Sequence, residues 1–161
     1  MVQNAEWGPH LWSVIHICAD RCGKQFSALL HMDEVRAWIQ FLQLVEAILP
    51  CALCQKHYRA WRKAHPLQKF LELRNPTAFR DAAQEWAWQL HDTVNEQRSV
   101  ERISLDAAKE LYKTKATADL QQSIDKLMEV LERAKLQRLV DGAHIREWKA
   151  KLSLLRRFIH V

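Results

Sequence analysis

The sequence predicts an all-α protein, and three observations lead to this fold class. Glycine occurs 3 times and proline 4 times in 161 residues, whereas a β-sheet protein of this length normally needs more turn residues. Apolar residues recur at steps of three and four along most of the chain, which is the period of amphipathic helices. Apolar residues make up 48% of the chain and charged residues 27%, an ordinary composition for one compact domain with an appendage.

Four helices are predicted in the first part of the chain, over residues 9–22, 34–49, 50–64 and 76–98. Trp12, Ile15 and Ala19 lie on one side of the first helix because they follow three- and four-residue steps. Asp33 is the predicted N-cap of the second helix, and Trp38 belongs to its apolar stripe. Each of these helices therefore has one face that must be buried.

The third predicted helix begins at Pro50, because the fixed φ of proline suits the first position of a helix. His65 and Pro66 end it, since the residue before a proline disfavours the helical conformation. The fourth helix begins after Pro76, with Thr77 as its cap. Four amphipathic helices of this length can form a four-helix bundle, and the core of a bundle can hold a cofactor.

Three further helices are predicted in the second part of the chain, over residues 104–113, 117–140 and 144–159. The turn residues Asp141 and Gly142 separate the last two, which we therefore expect to form an antiparallel hairpin. We accordingly divide the chain into a domain at residues 1–115 and a C-terminal helical extension of unknown role at residues 116–161.

Composition and charge argue against several classes of protein. No run of about 18 apolar residues exists, so we expect no membrane span. The N-terminus lacks a basic segment followed by an apolar one, so we expect no secretory signal. The net charge of +5 lies mainly in residues 99–161, and it is too small and too little interleaved with aromatic residues to favour nucleic acid as a partner.

The strongest local motif is a pair of cysteines, Cys51 and Cys54, at the start of the third predicted helix. Two cysteines at this spacing can form a disulfide, and the partial positive charge of a helix N-terminus favours the thiolate. The pair therefore suits reversible redox chemistry. Half of a zinc site and an accidental spacing explain the motif equally well at this point. In the zinc interpretation His57 is the third ligand, and either His16 or His91 is the fourth.

Seven tryptophans and several histidines form a second pattern. Trp12 and His16 lie one turn apart, as do Trp88 and His91, and also His91 and Asn95. For each residue alone, a place in the core is the simpler interpretation. Together they offer rings and hydrogen-bonding groups to a planar ligand with polar edges, such as a flavin.

Three motifs, taken together, resemble those of a known family. WGPHLWSVIH at residues 7–16, LPCALCQKHY at 49–58 and W-x4-HDTVN at 86–95 follow the order and approximate spacing of the Erv/ALR sulfhydryl oxidases. The resemblance spans about residues 6–98, and the segment RISLDAAKELY at 102–112 looks most like the short members encoded by large DNA viruses. Residues 1–115 thus resemble an Erv/ALR oxidase domain.

The resemblance implies a four-helix bundle that holds FAD, a short fifth helix and a homodimer, with no metal. Cys54 is then the sulfur next to the flavin, and Cys51 is the outer sulfur that meets the substrate. The positions that correspond to FAD contacts in the family are Gly8, Pro9, Trp12, His16, His57, Tyr58, Trp88, His91, Val94 and Asn95.

The implied activity is the oxidation of dithiols in client proteins. A client thiolate attacks Cys51, a second client thiol releases the product, and the reduced pair passes two electrons from Cys54 to FAD. Dioxygen then reoxidises the flavin and yields hydrogen peroxide. A viral member is expected in the host cytoplasm or the virion, and the mitochondrial intermembrane space is an alternative.

A few residues depart from the family pattern. Asp92 replaces the usual asparagine of the third motif, and Arg98 stands where leucine is usual. Either Arg98 or Arg102 is our candidate for the positive charge that the family carries in this region. The shuttle cysteine pair of many cellular members has no equivalent. Cys18 and Cys22 are four residues apart within a helix, where an unstrained disulfide is hard to form, so we expect two buried thiols.

Overall fold

The computed structural model describes residues 1–161 and confirms the all-helical fold class. It contains no β-strand, and none of its helices is both long enough and apolar enough to span a bilayer. The elements in chain order are α1 (Asn4–Arg21), α2 (Ala28–Gln43), α3 (Val45–Ile48), α4 (Ala52–Ala64), a 3₁₀ helix (Leu67–Glu72), α5 (Pro76–Gln97), α6 (Leu105–Lys113), α7 (Thr117–Leu136) and α8 (Gly142–Ile159).

Helix α1 begins at Asn4 instead of residue 9, so the predicted start was wrong. Gln3 precedes the helix, and its backbone N–H donates to Glu6 Oε2 at 2.6 Å. This bond satisfies one of the donors that a helix start leaves free. Pro9 consequently lies inside α1 rather than at its beginning.

Two other predicted helix starts were also wrong, as was the predicted cap Thr77, since Asn75 caps α5. Helix α2 begins at Ala28, because the hydroxyl of Ser27 accepts from the backbone N–H of Leu30 at 3.2 Å and caps the helix. The predicted cap Asp33 lies within α2, 3.2 Å from Arg36. Helix α4 begins at Ala52 with Cys51 as its N-cap, and not at Pro50. The correction matters because it places a sulfur atom at the positive end of a helix dipole.

Helix α1 lies at the centre of the fold. Helices α5 and α6 pack against it on one side and α7 on another, while α8 packs along α2. One continuous cluster of 38 buried residues joins both parts of the chain. In this cluster the ring of Phe41 in α2 lies 5.9 Å from the ring of Trp148 in α8. The extension therefore shares its core with the helices that carry the cysteine motif.

The turn between α1 and α2 depends on Gly23, which has a φ of 80°. A Cβ at this position would collide with the backbone carbonyl of Pro76. The buried carboxylate of Glu34 accepts from the backbone N–H groups of Gly23 and Lys24 at 2.9 Å and 3.0 Å. These bonds fix the backbone that follows α1. Because Gly23 packs closely against Pro76, they also fix the position at which α5 starts.

Candidate functional site

The predicted cysteine pair lies at the start of α4. Cys51 and Cys54 are joined by a disulfide, with their Cα atoms 5.2 Å apart, which confirms that the two sulfurs meet. The backbone N–H of Cys54 donates to Cys51 Sγ at 3.2 Å. A sulfur at this position receives both a hydrogen bond and the partial positive charge of the helix, and both favour a thiolate once the bond is reduced.

The disulfide lies in the wall of a cavity of about 320 Å³ between α1, α4 and α5. The volume is in the range of pockets that take small organic ligands. Most of the wall is apolar or aromatic, and its polar atoms are few. The predicted site residues that line this cavity are Gly8, Trp12, Cys51, Cys54, His57, Tyr58, Val94 and Arg98.

Two features of the wall suit a flat ligand with acceptor atoms along its edge. The indole N–H groups of Trp7 and Trp61 are buried in the wall, and neither has a hydrogen-bond partner in the protein. A buried donor without a partner is costly, and a ligand acceptor that reached either indole would offset this cost. At Gly8 an added Cβ meets no atom within 4 Å. The missing side chain therefore leaves room at the cavity wall, and a flavin ring fits this donor set.

Tyr58 lines the cavity and also has a structural role. Its hydroxyl donates to the backbone carbonyl of Leu42 at 2.6 Å, which ties α4 to the end of α2. Burial raises the pKa of this phenol, so Tyr58 stays protonated and continues to donate. The orientation of the cysteine helix is therefore fixed from the core side.

A cluster of stacked rings adjoins the cavity at Trp12. The Trp12 and His91 rings stack at 4.1 Å, and the His16 and Tyr112 rings stack at 4.3 Å. His16 Nε2 lies 2.9 Å from His91 Nδ1, within hydrogen-bond distance. Burial lowers the pKa of His16 to about 3 and that of His91 to about 4. Both imidazoles are therefore neutral near pH 7, and one donates to the other.

Other predicted site residues lie outside the cavity wall. Pro9 is exposed on α1. The indole of Trp88 donates to the carbonyl of Ile103 at 2.9 Å and so ties α5 to the segment before α6. The backbone carbonyl of Asn95 accepts from the backbone N–H of Val100 at 2.9 Å, just past the end of α5. For these positions a cofactor contact stays a prediction.

The two arginines considered for the family's positive charge have different surroundings. Arg102 binds both carboxylate oxygens of Asp92, at 2.8 Å and 2.6 Å. The hydrogen bond from Arg102 is the main reason that the pKa of Asp92 lies below its ordinary value. Arg98 lines the cavity instead. Arg98 is therefore the better placed of the two to meet a ligand there.

The sequence did not identify Trp7 and Trp61 as site residues, and it also missed two others that the structure brings to this region. Asn4 lines the cavity, and its side-chain Nδ2 donates to Cys54 Sγ at 3.6 Å. Tyr112 of α6 stacks on His16. Asn4 lay before the predicted start of the first helix, and no helical pattern connected it to the cysteines. Tyr112 lay within the segment of viral resemblance, but nothing in its spacing pointed to a histidine.

The zinc interpretation is not supported. The sulfurs of Cys51 and Cys54 are bonded to each other, and His57 is exposed. Nowhere in the chain do three or more His, Cys, Asp or Glu side chains come close enough together to hold a metal ion. A structural zinc site needs four such ligands around one point.

The other two cysteines are free and buried, as predicted. Cys22 Sγ donates to the carbonyl of Cys18 at 3.3 Å. Burial raises the pKa of Cys18 to about 12 and that of Cys22 well above its ordinary value. Neither thiol is therefore ionised at physiological pH.

Comparison with known proteins gives one match. A search of curated proteins and a search of solved structures returned no match to this chain. The sequence model of the Erv1/Alr family matches residues 9–117, which include the cysteine pair, most of the cavity wall and the stacked rings. Because this match covers more than half of the chain, the protein belongs to the Erv1/Alr family, whose members are FAD-binding sulfhydryl oxidases.

Proposed function

We propose that this protein is an FAD-dependent thiol oxidase that forms disulfide bonds in client proteins. The observation that carries the proposal is the Cys51–Cys54 disulfide in the wall of a cavity whose buried indole donors lack partners. A redox-active pair beside a site for a planar ligand is the arrangement that dithiol oxidation by a flavin requires.

The cavity wall is the proposed site of the flavin ring. Trp7 and Trp61 offer N–H donors, and Gly8 leaves room for the ligand. Arg98 offers a positive charge to its phosphates. The stacked rings next to Trp12 extend the site for the rest of the dinucleotide. We propose the following positions as FAD contacts: Gly8, Pro9, Trp12, His16, His57, Tyr58, Trp88, His91, Val94, Asn95 and Arg98.

Thiol–disulfide exchange explains what the protein's own sulfurs do. A client thiolate attacks Cys51 Sγ, the Cys51–Cys54 bond breaks, and Cys54 leaves as a thiolate. A second client thiolate then attacks the client sulfur of the mixed disulfide. The client disulfide forms, and Cys51 leaves and takes up a proton. The helix N-terminus at Cys51 stabilises the negative charge that develops on this sulfur.

Reformation of the enzyme disulfide removes two electrons and two protons from Cys51 and Cys54. When bound, FAD would supply the two-electron chemistry that connects this pair to dioxygen, with hydrogen peroxide as the product. Cys54 is half-buried, and most of the cavity wall around it is apolar. We therefore propose dithiol-containing proteins and dioxygen as the substrates.

Several finer assignments complete the proposal. We propose residues 1–115 as the oxidase domain, with α1, α2, α4 and α5 as its four-helix bundle, α6 as the short fifth helix and residues 116–161 as an added extension. The extension covers faces of α1 and α2. A homodimer, which the resemblance implies, must therefore use another surface. The similarity to short viral members favours action in the host cytoplasm or the virion, with the mitochondrial intermembrane space as the alternative.

The visible spectrum of the purified protein tests this function. We expect flavin absorbance that bleaches when a dithiol is added under nitrogen and returns with air. Cys54→Ala should keep the yellow colour but lose dithiothreitol-dependent oxygen consumption, whereas Cys18→Ala, which alters a buried thiol, should keep it. A folded protein that is colourless and does not take up added FAD would contradict the proposal.

A further inference from the structure

Asn4, the first residue of α1, lies directly beside the sulfur of Cys54. Its amide Nδ2 donates to Cys54 Sγ at 3.6 Å. Cys51 Sγ instead accepts from the backbone N–H of Cys54 at 3.2 Å. The two sulfurs of one disulfide thus have different donors. Cys51 Sγ accepts from a backbone N–H at the N-terminus of its own helix, whereas Cys54 Sγ accepts from a side chain of a different helix.

The N-terminus of the chain meets the end of α7 at the turn that carries Asn4. The backbone N–H of Val2 donates to Gln137 Oε1 at 3.0 Å, and Arg133 Nη2 lies 2.7 Å from Glu6 Oε1. Val2 is only 5% exposed and belongs to the core. The C-terminal end of α7 therefore holds the first turn of α1 in place.

Few ionisable groups share this environment with Cys54. Helix α4 contributes His57 and Tyr58 to the cavity wall, and the end of α5 contributes Arg98. Helices α1 and α3 contribute only uncharged side chains, and no carboxylate lines the cavity. Glu6, the nearest acid on the same turn as Asn4, is paired with Arg133. An anionic Cys54 consequently has Asn4 as its hydrogen-bonding side chain, with Arg98 as a further positive charge in the same wall.

We propose that Asn4 is a catalytic residue whose amide stabilises Cys54 as the thiolate leaving group, and that Arg133 and Gln137 of the extension hold it in position. This inference rests on the proposed thiol oxidation. When a client thiolate bonds to Cys51, Cys54 Sγ takes the electrons of the broken bond. A hydrogen bond to the resulting anion is stronger than one to the neutral disulfide, so Asn4 favours the exchanged state.

The pH dependence of alkylation at Cys54 tests the role of Asn4. In a Cys51→Ser background Cys54 is left without its partner, and serine retains an acceptor at the helix N-cap. Cys18 and Cys22 are buried and protonated, so iodoacetamide reports on Cys54 alone. Adding Asn4→Ala should move the midpoint of the rate–pH profile upward by about one pH unit, since it removes a charge-assisted hydrogen bond. Asn4→Asp, of equal size, should move it further because it adds a negative charge.

Variants of the extension test how Asn4 is held. Arg133→Ala combined with Gln137→Ala should move the same midpoint upward by roughly 0.3 unit, because the ion pair with Glu6 is partly exposed and weak. Lys126→Ala removes an ion pair with Glu129 elsewhere on α7 and should leave the profile unchanged. Peptide mapping by mass spectrometry confirms that the label is on Cys54.

The outcomes distinguish a failure of this inference from a failure of the proposed function. Superimposable profiles for Asn4→Ala and its parent, or a lower midpoint for Asn4→Asp, would overturn the role of Asn4. A profile unchanged by the Arg133/Gln137 double variant would overturn the role of the extension. The alkylation assay needs no bound flavin, so a colourless protein would overturn the oxidase proposal and leave this measurement valid.

Discussion

The chain contains two pairs of closely spaced cysteines, and their surroundings give them opposite chemistry. Cys51 and Cys54 begin a helix at the edge of a cavity, where their sulfurs are bonded and receive hydrogen bonds. Cys18 and Cys22 lie near the C-terminal end of α1, fully buried and unpaired. Spacing explains part of the difference, because a separation of three residues at a helix start brings Cα atoms to 5.2 Å. Burial explains the rest, since it favours the neutral thiol.

The largest expected effect is on the labelling of the two pairs in the folded, reduced protein. At mildly alkaline pH iodoacetamide should modify Cys51 and Cys54 at least about 10³ times faster than Cys18 and Cys22, since the buried pair reacts only when α1 opens. Peptide mapping over time measures both rates. In denaturant all four cysteines should react alike. Comparable rates in the folded state would remove the contrast between the pairs.

The turn that follows Cys22 should be the most sensitive position for stability. Gly23→Ala should lower the free energy of unfolding by about 3 kcal/mol, because it combines a strained φ with a backbone collision. Gly142→Ala is the matched control, since there a Cβ meets only the flexible side chains of Lys135 and Arg146. Urea denaturation measures both. Equal stabilities for the two variants would contradict the strain and the collision expected at Gly23.

Serine substitution should lower the free energy of unfolding more at the buried pair than at the reactive pair. Cys18→Ser should cost about 2 kcal/mol, because it places a hydroxyl at a fully buried position. Cys51→Ser, compared with the reduced parent, should change stability by less than about 0.5 kcal/mol, since serine is a favoured N-cap. Denaturation under reducing conditions tests this ordering, and a reversed order would contradict it.

The last expected effect concerns His16, which, like Cys18, is buried on α1. Burial keeps His16 and His91 neutral in the folded protein, with pKa values of about 3 and 4. The unfolded chain binds these protons from about pH 6.5 downward. Stability should therefore fall as the pH is lowered from about 6.5 towards 4, because the unfolded state binds more protons there.

His16→Gln should make this decline less steep, because it removes one of the groups that titrate only on unfolding. His144→Gln, at an exposed position on α8, serves as the control and should keep the slope of the parent. Urea denaturation at a series of pH values measures the slopes. An unchanged slope for His16→Gln would show that the imidazole is protonated in the folded protein.

The sequence predicted features that depend on local pattern. The apolar stripe through Trp38 and the cap-and-turn signals around Pro76 and Gly142 identified the helices, and the PCALC motif identified the reactive pair. The predicted start of α1 at residue 9 was wrong, because the helix begins at Asn4. In fact Glu6 caps an earlier turn.

Contacts between distant segments were beyond the reach of this reasoning. Asn4 meets Cys54 across 50 positions of sequence, and Val2 meets Gln137 across 135. Neither of these sequence separations produces a periodic pattern of residues along the chain. The stack of His16 on Tyr112 likewise arises from how α6 packs on α1. Motif spacing can place groups on one helix face, but it does not say which side chain of another helix will meet them.

The contact between the N-terminus and the end of α7 has a practical consequence for preparing the protein. Met1 is 86% exposed, so an affinity tag can be attached before it without displacing Val2 from its buried position. Loss of the first two or three residues to an aminopeptidase, in contrast, removes the amide that Gln137 holds. Preparations with ragged amino termini should therefore show mixed kinetics, and intact-mass spectrometry becomes a necessary quality control before any rate is compared.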